Sequence, residues 1–248
     1  MEIFQILRII LLLFFFGLGI WYLFPSIFTS KLKPYKWGNA VNNNISKSLI
    51  KLERKFDDKV RFYNFWFQIE RLKRENIKGS FAELGVYKGE TARLIHEMDK
   101  TRKLYLFDTF EGFADKDLQR ENSSDRKYST SNFSDVNIKS VESFFNGNLN
   151  VKFIKGYFPE TINQIEEQKY AFVHLDADLY LPTLSALNYF YSRLSEGGVI
   201  IIHDYNHSWD GVGKAVSEFA TNICENVIEI ADWQGSAMII RNKKLSFN

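Results

Sequence analysis

Phe81-Ala82-Glu83-Leu84-Gly85-Val86-Tyr87-Lys88-Gly89-Glu90-Thr91-Ala92 is a short apolar run that breaks at glycines and passes directly into a helical pattern. Glu83, Gly85 and Gly89 have the spacing Glu-x-Gly-x-x-x-Gly. Glycine lets a chain turn sharply and approach a ligand, and the helix N-terminus behind the turn is electropositive. That geometry suits a nucleotide-like ligand. The dinucleotide fingerprint Gly-x-Gly-x-x-Gly is not met, which disfavours a nicotinamide dehydrogenase. A carboxylate just before the turn repels phosphates and attracts an ammonium. Alone, the motif is equally compatible with a tight strand–helix turn.

Working outward, strand and helix alternate. The pattern predicts strand 81–84, helix 89–99, strand 103–107, a polar stretch Ala114–Asp135, a helix near Val136–Phe145 and strand Val151–Ile154. It continues with helix 159–167, strand Tyr170–Leu175, helix 182–194, strand Val199–Ile202, a helix near Val212–Cys224, and strands Val227–Ile230 and Ala237–Ile240. Runs such as Ala171-Phe172-Val173 and Val199-Ile200-Ile201-Ile202 are typical of strands covered on both faces. The expected fold is α/β: a doubly wound, mostly parallel Rossmann-like sheet ending in a hairpin-like pair. Asp57–Asn76 reads as an amphipathic helix preceding it, with Phe62, Phe65, Ile69 and Leu72 on one side.

Ligands of such sheets bind at the carboxyl ends of the strands, and here those ends are polar. Asp108 closes Leu104-Tyr105-Leu106-Phe107, 25 residues after Glu83, about where a carboxylate reaches ribose hydroxyls. Its competing role is to cap the turn Thr109-Phe110-Glu111-Gly112. An adenosine site beside a carboxylate that welcomes an ammonium describes S-adenosylmethionine. The next signature is His174-Leu175-Asp176-Ala177-Asp178-Leu179-Tyr180, where Asp176 and Asp178, two apart in extended backbone, point to one side. After the turn Glu196-Gly197-Gly198, the following strand ends in His203-Asp204-Tyr205. Three converging carboxylates repel unless a cation or shared proton offsets them, and oxygen ligands suit Mg²⁺. The plainer alternative is that the aspartates cap helices and the histidines sit in polar loops.

Taken together, Ala82–Gly89, Phe107-Asp108-Thr109-Phe110-Glu111-Gly112-Phe113, Gly156-Tyr157-Phe158-Pro159-Glu160-Thr161, Leu175–Tyr180 and Gly197-Gly198 through His203-Asp204-Tyr205 resemble the macrocin O-methyltransferase (TylF/MycF-like) family of S-adenosylmethionine- and Mg²⁺-dependent sugar O-methyltransferases. The resemblance covers roughly Val60 to Arg241. It implies that Glu83 and Gly85 line the methionine end of the cofactor and Asp108 its ribose. It further implies a metal held by Asp178 and Asp204, with Asp176 beside it as base. The cofactor set carried forward is Glu83, Gly85, Tyr87, Gly89, Thr91, Asp108, Thr109 and Phe110. The metal set is Asp176, Asp178 and Asp204, and the catalytic pair Asp176 and His203. One departure matters: best-known members end the last strand in two adjacent acids, and here His203 replaces the first. Imidazole is a poorer Mg²⁺ ligand, so His203 either binds a softer ion, serves catalysis or substrate, or weakens the metal. The implied reaction is methylation of a sugar or glycoconjugate hydroxyl. A phenolic or catechol-like acceptor, or a membrane-tethered binding module without chemistry, are the rivals. The stretch Ala114–Asp135, with Arg120, Arg126, Lys127 and Tyr128, is long for a structureless loop and reads as a lid or as disorder.

Ile9 to Ser30 is a run of 22 residues without a charge, with Trp21 and Tyr22 near its end. Its length suits a single membrane-crossing helix, and no small-x-small cleavage site follows it convincingly. Lys31, Lys33 and Lys36 after the run, against Arg8 before it, favour a catalytic domain on the cytoplasmic side. The resulting organisation is an anchor over 1–30, a basic and polar linker over 31–56, with Gly38–Lys47 as spacer, and a methyltransferase domain over 57–248. The 32 basic and 30 acidic residues argue against a nucleic-acid partner. A glycan or small-molecule substrate and the membrane are the expected partners, and a homo-oligomer is compatible with the sequence. The single Cys224 excludes an internal disulfide, fits a reducing compartment, and beside Ile223 reads as a packing residue.

Overall fold

A computed structural model describes residues 2–23, 33–121, 128–206 and 210–243. Residues 24–30 of the apolar run, Lys31, and Arg126 and Lys127 of the proposed lid lie outside the described residues. Residues 1–50 and 51–248 form two compact units.

The first unit holds α1 (Glu2–Leu23), α2 (Tyr35–Asn43) and the start of α3 (Lys47–Lys55). In α1, the 20-residue span Ile3–Tyr22 is long and apolar enough on average to cross a membrane, and its apolar stretch is not buried. At 1.5 Å per residue the span extends about 30 Å. The expected spacer is helical instead: α2 spans most of it and buries Trp37. Its run of asparagines falls in the last turn and just beyond, where side chains that compete for backbone bonds are tolerated.

The second unit begins with α4 (Lys59–Arg74), capped by Asp58, whose carboxylate accepts the Arg61 N–H. Phe62, Phe65, Ile69 and Leu72 are completely buried, as the stripe predicts. Each contributes about 1.5–3 kcal/mol of burial. Beyond it lie β1 (Ser80–Leu84), α5 (Glu90–Met98), β2 (Leu104–Asp108), α6 (Asp115–Leu118), α7 (Ile138–Ser143) and β3 (Val151–Lys155). A single turn of 3₁₀ helix (Glu160–Gln164) stands where a longer helix was expected. β4 (Tyr170–Leu175), α8 (Tyr180–Arg193), β5 (Leu194–Ile202), α9 (Asp210–Ala220), β6 (Ile228–Ile230) and β7 (Ser236–Ile240) complete the chain.

The seven strands are ordered β3-β2-β1-β4-β5-β7-β6. The first five are parallel, and β7 and β6 run antiparallel to their neighbours. The sheet therefore has the expected doubly wound form, with its direction of winding reversed between β1 and β4. That switch point is where such folds bind ligands. The Glu196-Gly197-Gly198 turn is absorbed into β5 as an irregularity: Leu194 faces Tyr170 and Val199 faces Phe172. Cys224 is exposed beyond the end of α9, so it is not a core residue.

Candidate active site

The glycine turn is built from backbone constraints as much as from ligand access. Gly85 has φ +85°, and a Cβ there would stand 1.8 Å from the Asp176 carbonyl oxygen. Its smallness thus lets the end of β4 close against β1. Gly89, at φ +77°, opens α5, and a Cβ would meet Val141 at 2.4 Å. Asp108 ties the turn down from β2. Its Oδ2 accepts the Val86 and Tyr87 N–H groups (2.7 and 2.8 Å), and Oδ1 accepts that of Phe110 (2.6 Å). A carboxylate has about four acceptor positions, so one remains for a hydroxyl. The cap role is met, and it leaves room for a hydroxyl.

Around this turn lies a cavity of about 500 Å³, within the usual range of small-molecule sites. Gly85, Tyr87, Gly89, Thr91, Asp108 and Thr109 line it, as do Asp176, Asp178, His203 and Asp204. Two of the expected cofactor residues do not. Phe110 is buried and packs its ring 6.3 Å from that of Phe153. Glu83 is completely buried within the sheet, because β1 alternation turns it into the core, where His174 Nδ1 meets its Oε1 at 2.9 Å. Burial, then Asp176 and Asp108, raise its carboxyl well above the usual range. Burial drives His174 down to about 3. Both shifts favour the uncharged forms of the pair.

At the ends of β4 and β5 the charges are opposite. His203 Nδ1 lies 2.8 Å from Asp176 Oδ1 and 3.1 Å from Asp204 Oδ2. Burial works against a charge on His203, yet Asp176 and Asp204 lift it to about 10. Burial likewise opposes the Asp176 charge, but the His203 imidazolium holds its carboxyl well below the ordinary range. Ligand atoms of Asp176, His203 and Asp204 all lie within 4.8 Å of one another. Two carboxylates and an imidazole are a donor set that fits a divalent cation.

Asp178 does not join that set. It adopts φ +59°, so the extended backbone that would align it with Asp176 does not continue to it. Its Oδ1 instead accepts the Tyr128 hydroxyl at 3.0 Å, and burial, then Asp176 and Asp204, raise its carboxyl well above the usual range. Neither aspartate caps α8. Glu121 does, its Oε1 accepting the Tyr180 N–H at 2.6 Å.

Several lining residues escape the sequence reading. From the polar stretch, Asp117 and Phe133 reach the cavity beside Tyr128. Phe113, Tyr128 and Phe133 form one aromatic cluster, with centroids 5.0–5.9 Å apart, and Tyr87 joins it at 5.1 Å from Phe133. The Tyr157 hydroxyl donates to buried Asp117 at 2.6 Å. Tyr87 and Lys88 both hold Asp135 (2.7 Å each), clasping the end of this stretch to the glycine turn. Arg61, Phe56 and Gln234 line the cavity as well. Arg61 had a legible signal: it shares the helical face of Phe65, Ile69 and Leu72, where a charge is out of place.

A seven-stranded sheet of this order, with its cavity at the β1/β4 switch point, defines the Rossmann-like methyltransferase fold. Solved structures agree. The O-methyltransferase NovP superposes with a TM-score of 0.63 at 25% identity, over 75% of this chain and 81% of its own. The calicheamicin methyltransferase CalS11 shares the fold (TM-score 0.57, 17% identity, 84% and 86% covered). Residues 57–241 match the family described as Macrocin-O-methyltransferase (TylF), and the chain belongs to that family. Among its relatives is a Streptomyces olivaceus enzyme, the 8-demethyl-8-(2,3-dimethoxy-alpha-L-rhamnosyl)-tetracenomycin-C 4'-O-methyltransferase. It is 28% identical over 58% of this chain and 60% of its own length. The mycinamicin III 3''-O-methyltransferase of Micromonospora griseorubida is 27% identical over 71% and 74%.

Proposed function

We propose that this protein transfers a methyl group from S-adenosylmethionine to a hydroxyl of a sugar or glycoconjugate, assisted by a divalent cation. The observation that carries this reading is the shared cavity. The glycine turn and Asp108 on one side, and the Asp176–His203–Asp204 cluster on the other, open onto the same space. The relatives' names, a 4'-O-methyltransferase of a rhamnosyl-tetracenomycin C and a mycinamicin III 3''-O-methyltransferase, support the acceptor class.

When bound, the cofactor supplies a methyl group on a sulfonium that leaves as a thioether, and the cation supplies Lewis-acid charge to the acceptor oxygen. The residues do the rest. Asp176, His203 and Asp204 hold the cation. The acceptor proton passes to Asp176, the member of the cluster most open to the cavity: its side chain is 25% exposed, against 4% for His203 and 5% for Asp204. With Nδ1 set between the two carboxylates, and given to the cation when one is bound, His203 would position Asp176 and is not itself a free base. Phe113, Tyr128 and Phe133 offer flat apolar faces against which an acceptor ring can be oriented. The helix α1 serves as the membrane anchor in this proposal, with Lys33 and Lys36 placing the catalytic domain on the cytoplasmic side.

The test is calorimetric titration of the full-length protein with S-adenosylhomocysteine, with and without Mg²⁺ or Mn²⁺, followed by a glycoside screen read by mass spectrometry. Micromolar binding and a product heavier by one methylene are expected. A folded protein that binds no S-adenosylhomocysteine in any condition overturns the reading.

A further inference from the structure

Arg61 sits in the first turn of α4, only 9% exposed at its side chain, and lines the cavity with Phe56 and Gln234. Its guanidinium is poorly engaged. Asp58 Oδ2 and Gln234 Oε1 each stand 3.5 Å from Nη2, the outer limit for such contacts. The Phe56 ring lies beneath it, 5.6 Å from Cζ to centroid. Nε is buried without a partner. Asp58 is shared with the backbone, Oδ1 accepting the Arg61 N–H at 2.9 Å and Oδ2 the Trp233 N–H at 3.0 Å. Guanidinium carries five donors in a planar fork matched to a carboxylate, so a buried one held this loosely has room for an anion.

The rest of the cavity sharpens the point. Its lining includes Asp108, Asp117, Asp176, Asp178 and Asp204. Of the described lining residues, Arg61 and Lys88 are the lysines and arginines, and Lys88 is committed to Asp135 at 2.7 Å. The His203 imidazolium is held between Asp176 and Asp204, so among the described lining residues Arg61 is the cation left for an anionic group entering this acidic space. Glu83, the residue the sequence assigns to the methionine end, is sealed in the sheet and cannot reach a ligand there.

We propose that Arg61 binds a carboxylate in this cavity, and that the carboxylate is that of the amino-acid end of the S-adenosyl cofactor. The assignment rests on the methyltransferase reading above. A carboxylate carried by the acceptor is the other source of the same chemistry, and the ligands below separate the two.

Full-length protein and its Arg61→Gln and Arg61→Lys variants are titrated calorimetrically with S-adenosylhomocysteine and with 5'-methylthioadenosine, which keeps the nucleoside and lacks the amino acid. The expected result is a loss of about 10–100-fold in S-adenosylhomocysteine affinity for Arg61→Gln. Arg61→Lys falls between, and 5'-methylthioadenosine affinity stays within about twofold, which shows that the variants retain the cavity. Equal weakening of both ligands overturns the proposal, because Arg61 then supports the fold of the site and not the carboxylate. Unchanged S-adenosylhomocysteine binding also overturns it and leaves an acceptor carboxylate as the partner. If the unaltered protein binds neither ligand, the methyltransferase reading falls and this assignment with it.

Discussion

Two histidine–carboxylate pairs lie on adjacent strands with ring centroids 6.3 Å apart, and one is driven to its uncharged forms while the other is held ionised. The separations within the pairs are almost equal: 2.9 Å for His174 and Glu83, 2.8 Å for His203 and Asp176. In the first pair burial dominates, and acid and imidazole are both neutral. In the second, a further carboxylate, Asp204, lies 3.1 Å from the same nitrogen. Two negative charges then outweigh desolvation, and the imidazole keeps its proton. The hydrogen-bond length says nothing about the proton. The count of neighbouring charges and the access to the cavity decide it.

The comparison assigns chemistry to one pair and architecture to the other, and the largest effect should show this. Asp176→Asn is expected to lower methyl transfer by about 10²–10⁴-fold, measured as S-adenosylhomocysteine released with an accepted glycoside. Glu83→Gln should leave the rate within about threefold. Comparable losses from both substitutions would erase the distinction between the pairs.

Cation binding should discriminate next. A divalent ion entering the Asp176–His203–Asp204 cluster competes with the proton on Nδ1, so binding near pH 8 is expected to release roughly one proton. Calorimetry in buffers of differing ionisation enthalpy reads this directly. Binding without proton release would move the ion away from His203.

The two imidazoles also tilt stability in opposite directions. His203 is raised to about 10 in the fold, above the unfolded value near 6.5. Its contribution is fully present below pH 6.5 and is lost as pH rises towards 10. His174 is lowered to about 3. Between pH 6.5 and 3 the unfolded state binds a proton that the folded state refuses, so stability falls as pH drops through that window. Unfolding free energies across pH should show His203→Gln flattening the alkaline arm and His174→Gln the acid arm. If either variant flattens the opposite arm, the proton assignment is wrong.

Most of the sheet was legible because its strands are continuous apolar runs, as in Tyr170–Leu175, where expected and observed bounds coincide. Asp108, Asp176 and Asp204 were legible as polar residues at strand ends. The misreadings share a cause, which is that local pattern does not report backbone direction. Asp178 follows Asp176 by two, but a left-handed residue breaks the alternation. Glu83 precedes the cavity-lining glycine turn, but strand alternation turns it inward. Asp117 and Arg61 reach the cavity through tertiary packing from α6 and α4, which no spacing within the glycine turn or the strand ends encodes. Arg61 alone left a trace, as a charge on an apolar stripe.

The smallest effect tests the neutral pair itself. If Glu83 is protonated in the fold, Gln is close to isosteric and isoelectronic with it, and the bond to His174 Nδ1 survives with the amide as donor. The cost is then confined to the extra amide hydrogen in a place where Glu83 Oε2 already lacks a partner. At about pH 4.5, chemical denaturation should find Glu83→Gln within about 1 kcal/mol of the unaltered protein, and Glu83→Ala about 1–3 kcal/mol worse than Gln, since alanine leaves His174 Nδ1 unbonded in the core. Above that pH the unfolded carboxyl gives up a proton that the folded one keeps, so the unaltered protein should lose stability relative to Gln as pH rises from about 5 to 7. A Glu83→Gln difference that stays constant between pH 5 and pH 7 would therefore put the negative charge back on β1 and make the two pairs alike.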